Sequence, residues 1–600
     1  MSLVTIEAQG RVTPPDWAIK QRHLIHLMNR GARSFVKKYT RPDGTLVWRD
    51  EWPGMDGSDD GYESFLSFPL FYILGGDEYV HRQGRKEFNA VTWQFTQYGQ
   101  VHREFDAYYD WMHHGEAYTY LYYLAMSDPN HFVDRQRALN FAAMYNGEDP
   151  EAPNWDPELK MIRSPINGSK GPQFHMSAED WETHRWVLAN YLSPYEDVPG
   201  FDASDPGCKL DWEDDTIFAE ILKRMNERMV PGDVPLNLVA TSLITSAFLY
   251  TGEEKYRQWV VDYLQMWMDK TAENDGILPD NIGPSGKIGE RMDGKWWGGY
   301  YGWRWPHGAG KLLETTLIAG SNAVLLTGDM KWLDLHRNLA DKLWDLRKEV
   351  DGKVVVPNRY GDAGWFDYRE PVAQYYVHLY HISQSDEDLK RLEERLLGWE
   401  NWRSVPSFSK AGYHSPLAWH AYHQGQNPEF VSNVLDATYE GMSNRLDKID
   451  NDDDDVDSWD VHHWQNLNPV IPEGLIQMAM GTPAAVYHGG HLHATVRYFD
   501  ADKRRPGLPA FVSASVTEVT RDSVLLHLVN TDALHAKNVL IQSGGFAEHA
   551  FTDVTVDGDR QDVNGKVIKV SLKAGAEVKL TLGLKRYVNT PTYDMPSFYE

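Results

Sequence analysis

Cysteine is almost missing: Cys208 is the single one in 600 residues. That excludes an intramolecular disulfide framework and any cysteine-rich metal site. Positive charge is also short, with 59 Lys and Arg against 87 Asp and Glu and a net charge of −28. Such a surface repels a phosphate backbone or an anionic bilayer, so nucleic acid and membrane are excluded as partners. No apolar run reaches the roughly 18 residues a membrane span requires. The opening MSLVTIEAQGRV lacks the basic stretch and apolar core of a secretory leader. A soluble protein is expected, with cytoplasm and periplasm both open. HExxH, GxSxG, GxGxxG and Walker patterns are absent, which argues against protease, esterase, dehydrogenase and kinase chemistry.

Aromatic residues are plentiful, 23 Trp, 32 Tyr and 21 Phe, and they recur in a pattern. Six times an apolar, aromatic-rich segment meets a tight polar break and then a charged amphipathic segment. The breaks are Gly75 to Tyr79, Ser127 to Phe132, Thr251 to Tyr256, Thr327 to Trp332, Ser383 to Asp388 and Gly425 to Phe430. Gly or Asn suits a left-handed helix end, and the acidic residue or proline after it suits the first turn of the next helix. Short breaks make antiparallel neighbours. The expected fold is mainly α, an (α/α)6 toroid of six helical hairpins over residues 1–477, with an insertion at about 146–235. An open helical solenoid is the alternative, but the spacing of the breaks is irregular where stacked repeats keep a period. After about residue 478 the texture changes to alternation, as in HLHATVRYFD and SVLLHLVNTD. A C-terminal antiparallel β-sandwich is expected over 478–600, as a cap on the ring or a dimerisation surface. The acidic run Asp447 to Asp460 lacks the Gly and Glu of a calcium loop and reads as a solvated loop.

In such a ring the long connections between hairpins should build the site. They are rich in Trp, Tyr, His, Arg and carboxylates. Aromatic faces stack on pyranose C–H faces while the polar groups bind hydroxyls or a charged substituent, so a sugar is the expected ligand. The loop WWGGYYGWRWPHG supplies Trp297, Tyr301, Trp303, Arg304 and His307, with Arg304 suited to pair bidentately with a substrate carboxylate; a local salt bridge is its other reading. Asp56, Asp59 and Asp60 precede the first buried helix, where two of the three are expected to cap it and Asp60 to face the ring. WMHHGE brings His113, His114 and Glu116 to the start of the second. The insertion adds His175 and Glu179 within a run that also holds Asp180, His184 and Arg185; Glu179 and Asp180 with His184 read equally as a salt-bridged helix surface. FDYREP contributes Glu370, and KAGYHSP contributes His414.

Together with the segment EGLIQMAMGTPAAVYHGGHLHATVRYFDADKRRPGLPAFV, the motifs WMHHGE and GWRWPHG resemble bacterial toroidal carbohydrate-active enzymes, and among them glycoside hydrolase family 154, of β-glucuronidase type. The resemblance spans nearly the whole chain and implies an exo-acting enzyme on glucuronate-containing fragments. The expected function is release of a terminal uronic acid from polysaccharide-derived oligosaccharides. Asp60, Glu116, Glu179 and Glu370 are the candidate acid–base groups, with His113, His114, His175, Trp297, Tyr301, Trp303, Arg304, His307 and His414 binding substrate. A polysaccharide lyase using Tyr301, His113 and His175 and a non-catalytic polysaccharide binder are the alternatives. None of these requires a cofactor or a metal.

Overall fold

The computed structural model describes residues 3–51, 57–181, 184–396 and 416–598. Seventeen helices among them are α1 Asp16–Tyr39, α2 Ser58–Glu63, α3 Ser67–Leu74, α4 Glu78–Gln97, α5 Trp111–Ser127, α6 Phe132–Asn146, α7 Arg185–Leu188, α8 Asp215–Arg224, α9 Ala240–Thr251, α10 Glu254–Glu273, α11 Ala309–Thr327, α12 Asp334–Asp345, α13 Ala373–Ser383, α14 Asp386–Arg395, α15 Pro416–His423, α16 Phe430–Asn451 and α17 Glu473–Met480. None is long and apolar enough to cross a membrane.

Each of the six breaks joins two of these helices, α3 to α4, α5 to α6, α9 to α10, α11 to α12, α13 to α14 and α15 to α16. The first helix of each pair is buried nearly all round, and the second buries one face. The ends are set locally. Gly252 and Gly328 close α9 and α11 in the left-handed region, where a side chain would be strained. Asp77 and Asp110 start α4 and α5 by accepting backbone N–H bonds.

Along the buried layer α3 packs on α5, α5 on the turn Pro235–Val239 that leads into α9, α9 on α11, α11 on α13, and α13 on α15. The helix α17 then lies on α3, and Trp419 of α15 donates its indole N–H to the Gln477 carbonyl of α17 at 3.3 Å. In the outer layer α1 packs between α16 and α4. The first and last helices of the chain therefore add a seventh position that the six breaks do not announce.

The C-terminal region forms two five-stranded sheets. The N-terminal strand Thr5–Ala8 pairs in parallel with Val567–Leu572, so the β-region is built from both ends of the chain. The connection that carries FDYREP forms a hairpin of Lys353–Gly361 and Gly364–Arg369.

Between α17 and the first strand of this region, Val496–Asp500, residues 481–495 run through the middle of the buried layer. His488 reaches α5 and α11, His491 donates to the Ser242 carbonyl of α9 at 3.0 Å, and the His493 carbonyl accepts from His381 of α13 at 2.7 Å. Backbone proximity explains the glycines of the segment. A Cβ on Gly489 would lie 2.7 Å from Val239, and one on Gly115 would lie 2.5 Å from the His488 carbonyl. The segment thus lies among α5, α9, α11 and α13, and a cavity opens beside the start of α5.

Candidate functional site

That cavity measures about 510 Å³ and is walled by the start of α5, the loop 99–109, the insertion between 166 and 191, and the loop 300–307. Its aromatic wall is Tyr108, Tyr109, Trp181, Tyr191, Tyr300, Tyr301 and Trp305, and its polar groups include His113, His184, His307, Glu179, Asp180, Gln100 and Lys170. Such a mixture of flat apolar faces and convergent polar groups is that of a small-molecule site.

His113 stands in the first turn of α5 and its orientation is fixed on two sides. Its Nδ1 lies 2.9 Å from Asp110 Oδ1, and Tyr109 stacks on its ring at 4.1 Å. Asp110 is fully buried, which alone would raise its pKa. The facing His113 and hydrogen bonds from His113 and Tyr300 outweigh this and hold the carboxyl below the usual range. Tyr300 donates to Asp110 Oδ2 at 2.8 Å and so ties the cavity wall to the helix start. One ligand atom each of Asp59, His113 and Glu116 lie within 4.8 Å of one another. Glu116 is one turn beyond His113 on the same face, and Asp59 comes from α2. Among the described residues these three could hold a divalent cation, and one imidazole with two carboxylates suits Zn²⁺ or Mn²⁺.

The acidic residues of α2 do not cap it. Its N-cap is Gly57, and Asp59 and Asp60 are buried in the first turn; Asp56 lies outside the described residues. Asp60 accepts from Gln465 and has His462 Nε2 at 3.6 Å, so it faces the loop that follows α16 and is not a wall of the cavity. Behind Glu116 stands His488, whose Nε2 is 3.2 Å from Glu116 Oε1 and whose Nδ1 is 2.7 Å from Glu314 Oε1. Lys311 donates to the other oxygen of Glu314 at 2.6 Å.

Of the other sequence candidates, Tyr301 and His307 line the cavity, and their rings are 5.2 Å apart. Tyr301 has φ 51°, a region that non-glycine residues rarely occupy. Burial, with Lys311 and His488 nearby, pushes His307 down to about 3, so it is neutral. Glu179 lines the cavity from an exposed position; His175 is exposed and is not among the cavity's walls. His414 lies outside the described residues.

Four candidates are turned elsewhere. His114, next to His113 but about 100° around the helix, is buried between Asp106 Oδ2 and the Asn167 carbonyl, each 3.1 Å away. Glu370 is exposed and pairs with Lys353 at 3.0 Å. Trp303 is buried with its indole N–H on the Leu278 carbonyl, and Trp297 packs with Trp296 and Tyr360 beside the hairpin, away from the cavity. The dense aromatic loop has a local organiser, Asp280, whose carboxylate accepts from the backbone of Gly298, Gly299 and Trp303 at 3.1, 2.9 and 2.7 Å. Gly299 and Gly302 lie too close to Asp280 for any side chain.

Arg304 takes the second of its two readings, a local salt bridge. It is buried, with Nε on the Ser193 carbonyl at 3.0 Å, Nη1 3.2 Å from Glu196, and its guanidinium between Phe201 and Phe366. It fastens the insertion to the aromatic loop and is not a wall of the cavity. Arg304→Met is expected to destabilise the fold by about 3 kcal/mol, because it strands Glu196 in a mostly buried place. Urea unfolding should show that loss, with KM for a uronate substrate unchanged; a selective rise in KM would return Arg304 to substrate recognition.

Residues outside the sequence candidates complete the site: Asp59, Asp110, Tyr300, Trp181, His488, Glu314 and Lys311. The available signals were the Asp of YYDWMHH as a helix N-cap and the glycine pair of YHGGHLH, which marks a backbone in close approach.

A family model described as a domain of unknown function, DUF8034, matches residues 5–354 and 345–476. The chain belongs to that family. No curated protein matches it in sequence. Among solved structures, the DUF8034 chain is similar to a D-mannose isomerase, at 10% identity and TM-score 0.33 over 66% of this chain and 91% of that one. It is also similar to a family 76 glycoside hydrolase (mannosidase) of Bacteroides thetaiotaomicron VPI-5482, at 11% identity and TM-score 0.29 over 75% and 96%. An unsaturated glucuronyl hydrolase specific for heparin matches at 14% identity and TM-score 0.21 over 63% and 97%.

Proposed function

We propose that this DUF8034 protein is a glycoside hydrolase that releases a terminal sugar from an oligosaccharide held in the aromatic cavity. The observation that carries the reading is the convergence on His113, a residue of the cavity wall, of the buried Asp59 and Glu116, which are not themselves part of that wall. We read the helical part as a closed ring of hairpins and the two sheets as a sandwich behind it, the architecture that the resemblance to family 154 implies. A uronic acid is the proposed sugar. With Arg304 engaged elsewhere, Lys170 is the Lys or Arg side chain of the described wall that could meet its carboxylate.

The proposed chemistry uses the two carboxyl groups. An Asp59 oxygen attacks the anomeric carbon while Glu116 gives its proton to the departing glycosidic oxygen. A water then gives a proton to Glu116, displaces Asp59 and frees the sugar. Oxygens less than 4.8 Å apart support retention of configuration, which needs carboxyl groups about 5–5.5 Å apart, over inversion at about 6.5–9.5 Å. Proton NMR of the first-formed sugar is expected to show the anomer of the substrate; the opposite anomer would discard the Asp59–Glu116 assignment. Dialysis against EDTA is expected to leave the rate unchanged, and a loss restored by Zn²⁺ or Mn²⁺ would make the same three residues metal ligands.

A lyase is the second reading, favoured by the presence of His113, Tyr301 and His307 around one cavity. Here one group would remove the proton next to the uronate carboxylate and another would protonate the leaving oxygen. Ultraviolet absorbance of an unsaturated product, growing with time, would select it.

A further inference from the structure

We propose that Tyr108, at the mouth of the cavity, is the platform on which the first sugar of the leaving group stacks, so that the substrate is a saccharide of at least two sugars and not a small-alcohol conjugate of one. The inference rests on the reading of the cavity as the site of a glycoside hydrolase and deepens it by naming the class of leaving group.

The wall of the cavity divides by exposure. Trp181, Tyr300, Tyr301 and Trp305 are buried, whereas Tyr108 is 41% exposed. Among the described wall residues the others that are exposed are Gly99, Lys170, Glu179 and Asp180. These five mark the mouth, and the buried aromatic rings mark the inner end. An enzyme that releases a terminal sugar from such a cavity seats that sugar on the inner side of the reacting bond, and whatever the sugar is attached to leads out past the mouth. Tyr108 is therefore on the leaving-group side.

The backbone that carries this ring is tied down on both sides. The Ala107 N–H donates to the Gln100 carbonyl at 2.7 Å, and the Ala107 carbonyl accepts from the Lys170 N–H at 3.2 Å. Tyr109 and Asn167 exchange two backbone bonds, each of 2.8 Å. Ala107 is buried and Tyr109 stacks on His113, so Tyr108 is the residue of the three that is turned outward. The Lys170 Nζ stands over its ring, 5.9 Å from the centroid. A tyrosine on a fixed backbone supplies contact area at little cost in freedom, and the negative face of its ring suits the C–H groups of a pyranose. The space agrees with this. At about 510 Å³ the cavity falls within the range of about 300–1,000 Å³ that buries a drug-sized ligand, larger than one pyranose.

The test compares two substrates in wild type, Tyr108→Ala and Tyr108→Phe. One is a disaccharide of β-glucuronic acid linked to glucose, and the other is methyl β-glucuronide, whose leaving group has no ring. Tyr108→Ala is expected to lower kcat/KM for the disaccharide about tenfold, because binding energy from the non-reacting sugar is lost. Its kcat/KM for methyl glucuronide and its inhibition by free glucuronic acid should match those of wild type. Tyr108→Phe keeps the ring and should hold the disaccharide rate within about twofold. Tyr108→Leu serves if the alanine variant does not fold. Equal losses on both substrates would set Tyr108 against the terminal sugar and overturn the proposal, as would no loss on either. If no glucuronide is hydrolysed, calorimetry decides. Disaccharide binding that weakens in Tyr108→Ala while glucuronic acid binding holds upholds the platform and overturns the hydrolase reading; disaccharide binding that is absent or unchanged overturns both.

Discussion

Glu116→Gln is expected to lower kcat about a thousandfold at neutral pH, within the range of about 10²–10⁴ that a positioned acid–base group contributes. The amide matches the carboxylate in shape and can still accept from His488, so far-UV circular dichroism and the unfolding midpoint should stay close to those of wild type. Asp59→Asn should cost as much, and the double variant little more than either single one, because the two groups act in one reaction. Glu370→Gln is the control. Its carboxylate is exposed and paired with Lys353, so the rate should not change. A Glu116→Gln enzyme within about threefold of wild type, correctly folded, would remove Glu116 from the chemistry. If substrate still bound to it with the same affinity, a polysaccharide-binding role would take the place of catalysis.

The second large effect is on stability in acid. Burial, the leading cause in each case, lowers His336, His420 and His493 to about 4 and His381, His423 and His491 to about 3. His81 and His307 are lowered to about 4 and 3, and His549 lies well below the ordinary value. Unfolded, each would titrate near 6.5. Between that value and the folded one the unfolded chain binds more protons, so stability is present above about pH 6.5 and is lost as pH falls. Buried carboxyls work in the opposite sense. Asp280 is raised to about 6, Asp233 and Glu548 to about 7, and Glu87 to about 8, all by burial. They favour the folded state below their unfolded values and lose that contribution as pH rises through the folded ones.

The histidines outnumber these carboxyls. Near pH 5.5 unfolding is expected to take up roughly four protons, each worth about 1.4 kcal/mol per pH unit. Against a typical stability of about 5–15 kcal/mol, that slope should unfold the protein within about two pH units below 6.5. Urea unfolding at pH 7, 6 and 5 would measure it. A midpoint that does not move across this range would mean that the histidines ionise inside the fold.

Much of the helical arrangement could be read in advance because its signals are local. A glycine in the left-handed region after an apolar stretch ends a helix wherever it occurs, and each of the six breaks does separate two helices. The site was legible only in part, for reasons that differ from residue to residue. His113 and His114 are adjacent letters, yet the turn of one residue along α5 sends the first to the cavity and the second into the core. Arg304 sits among aromatic rings, as a substrate-binding arginine would, but the rings that flank it belong to the protein and Glu196 takes the place of a ligand. Asp280, which shapes the aromatic loop, lies well before it in sequence. His488 comes from the far end of the chain to meet Glu116, and no spacing rule joins residues so distant.

Residues 481–495 pass among α5, α9, α11 and α13 and continue directly into the sheets, so the helices and the sheets share one buried segment. The match to the family ends at residue 476, short of that segment. A fragment cut there would lose the segment that packs among these four helices together with most strands of the two sheets.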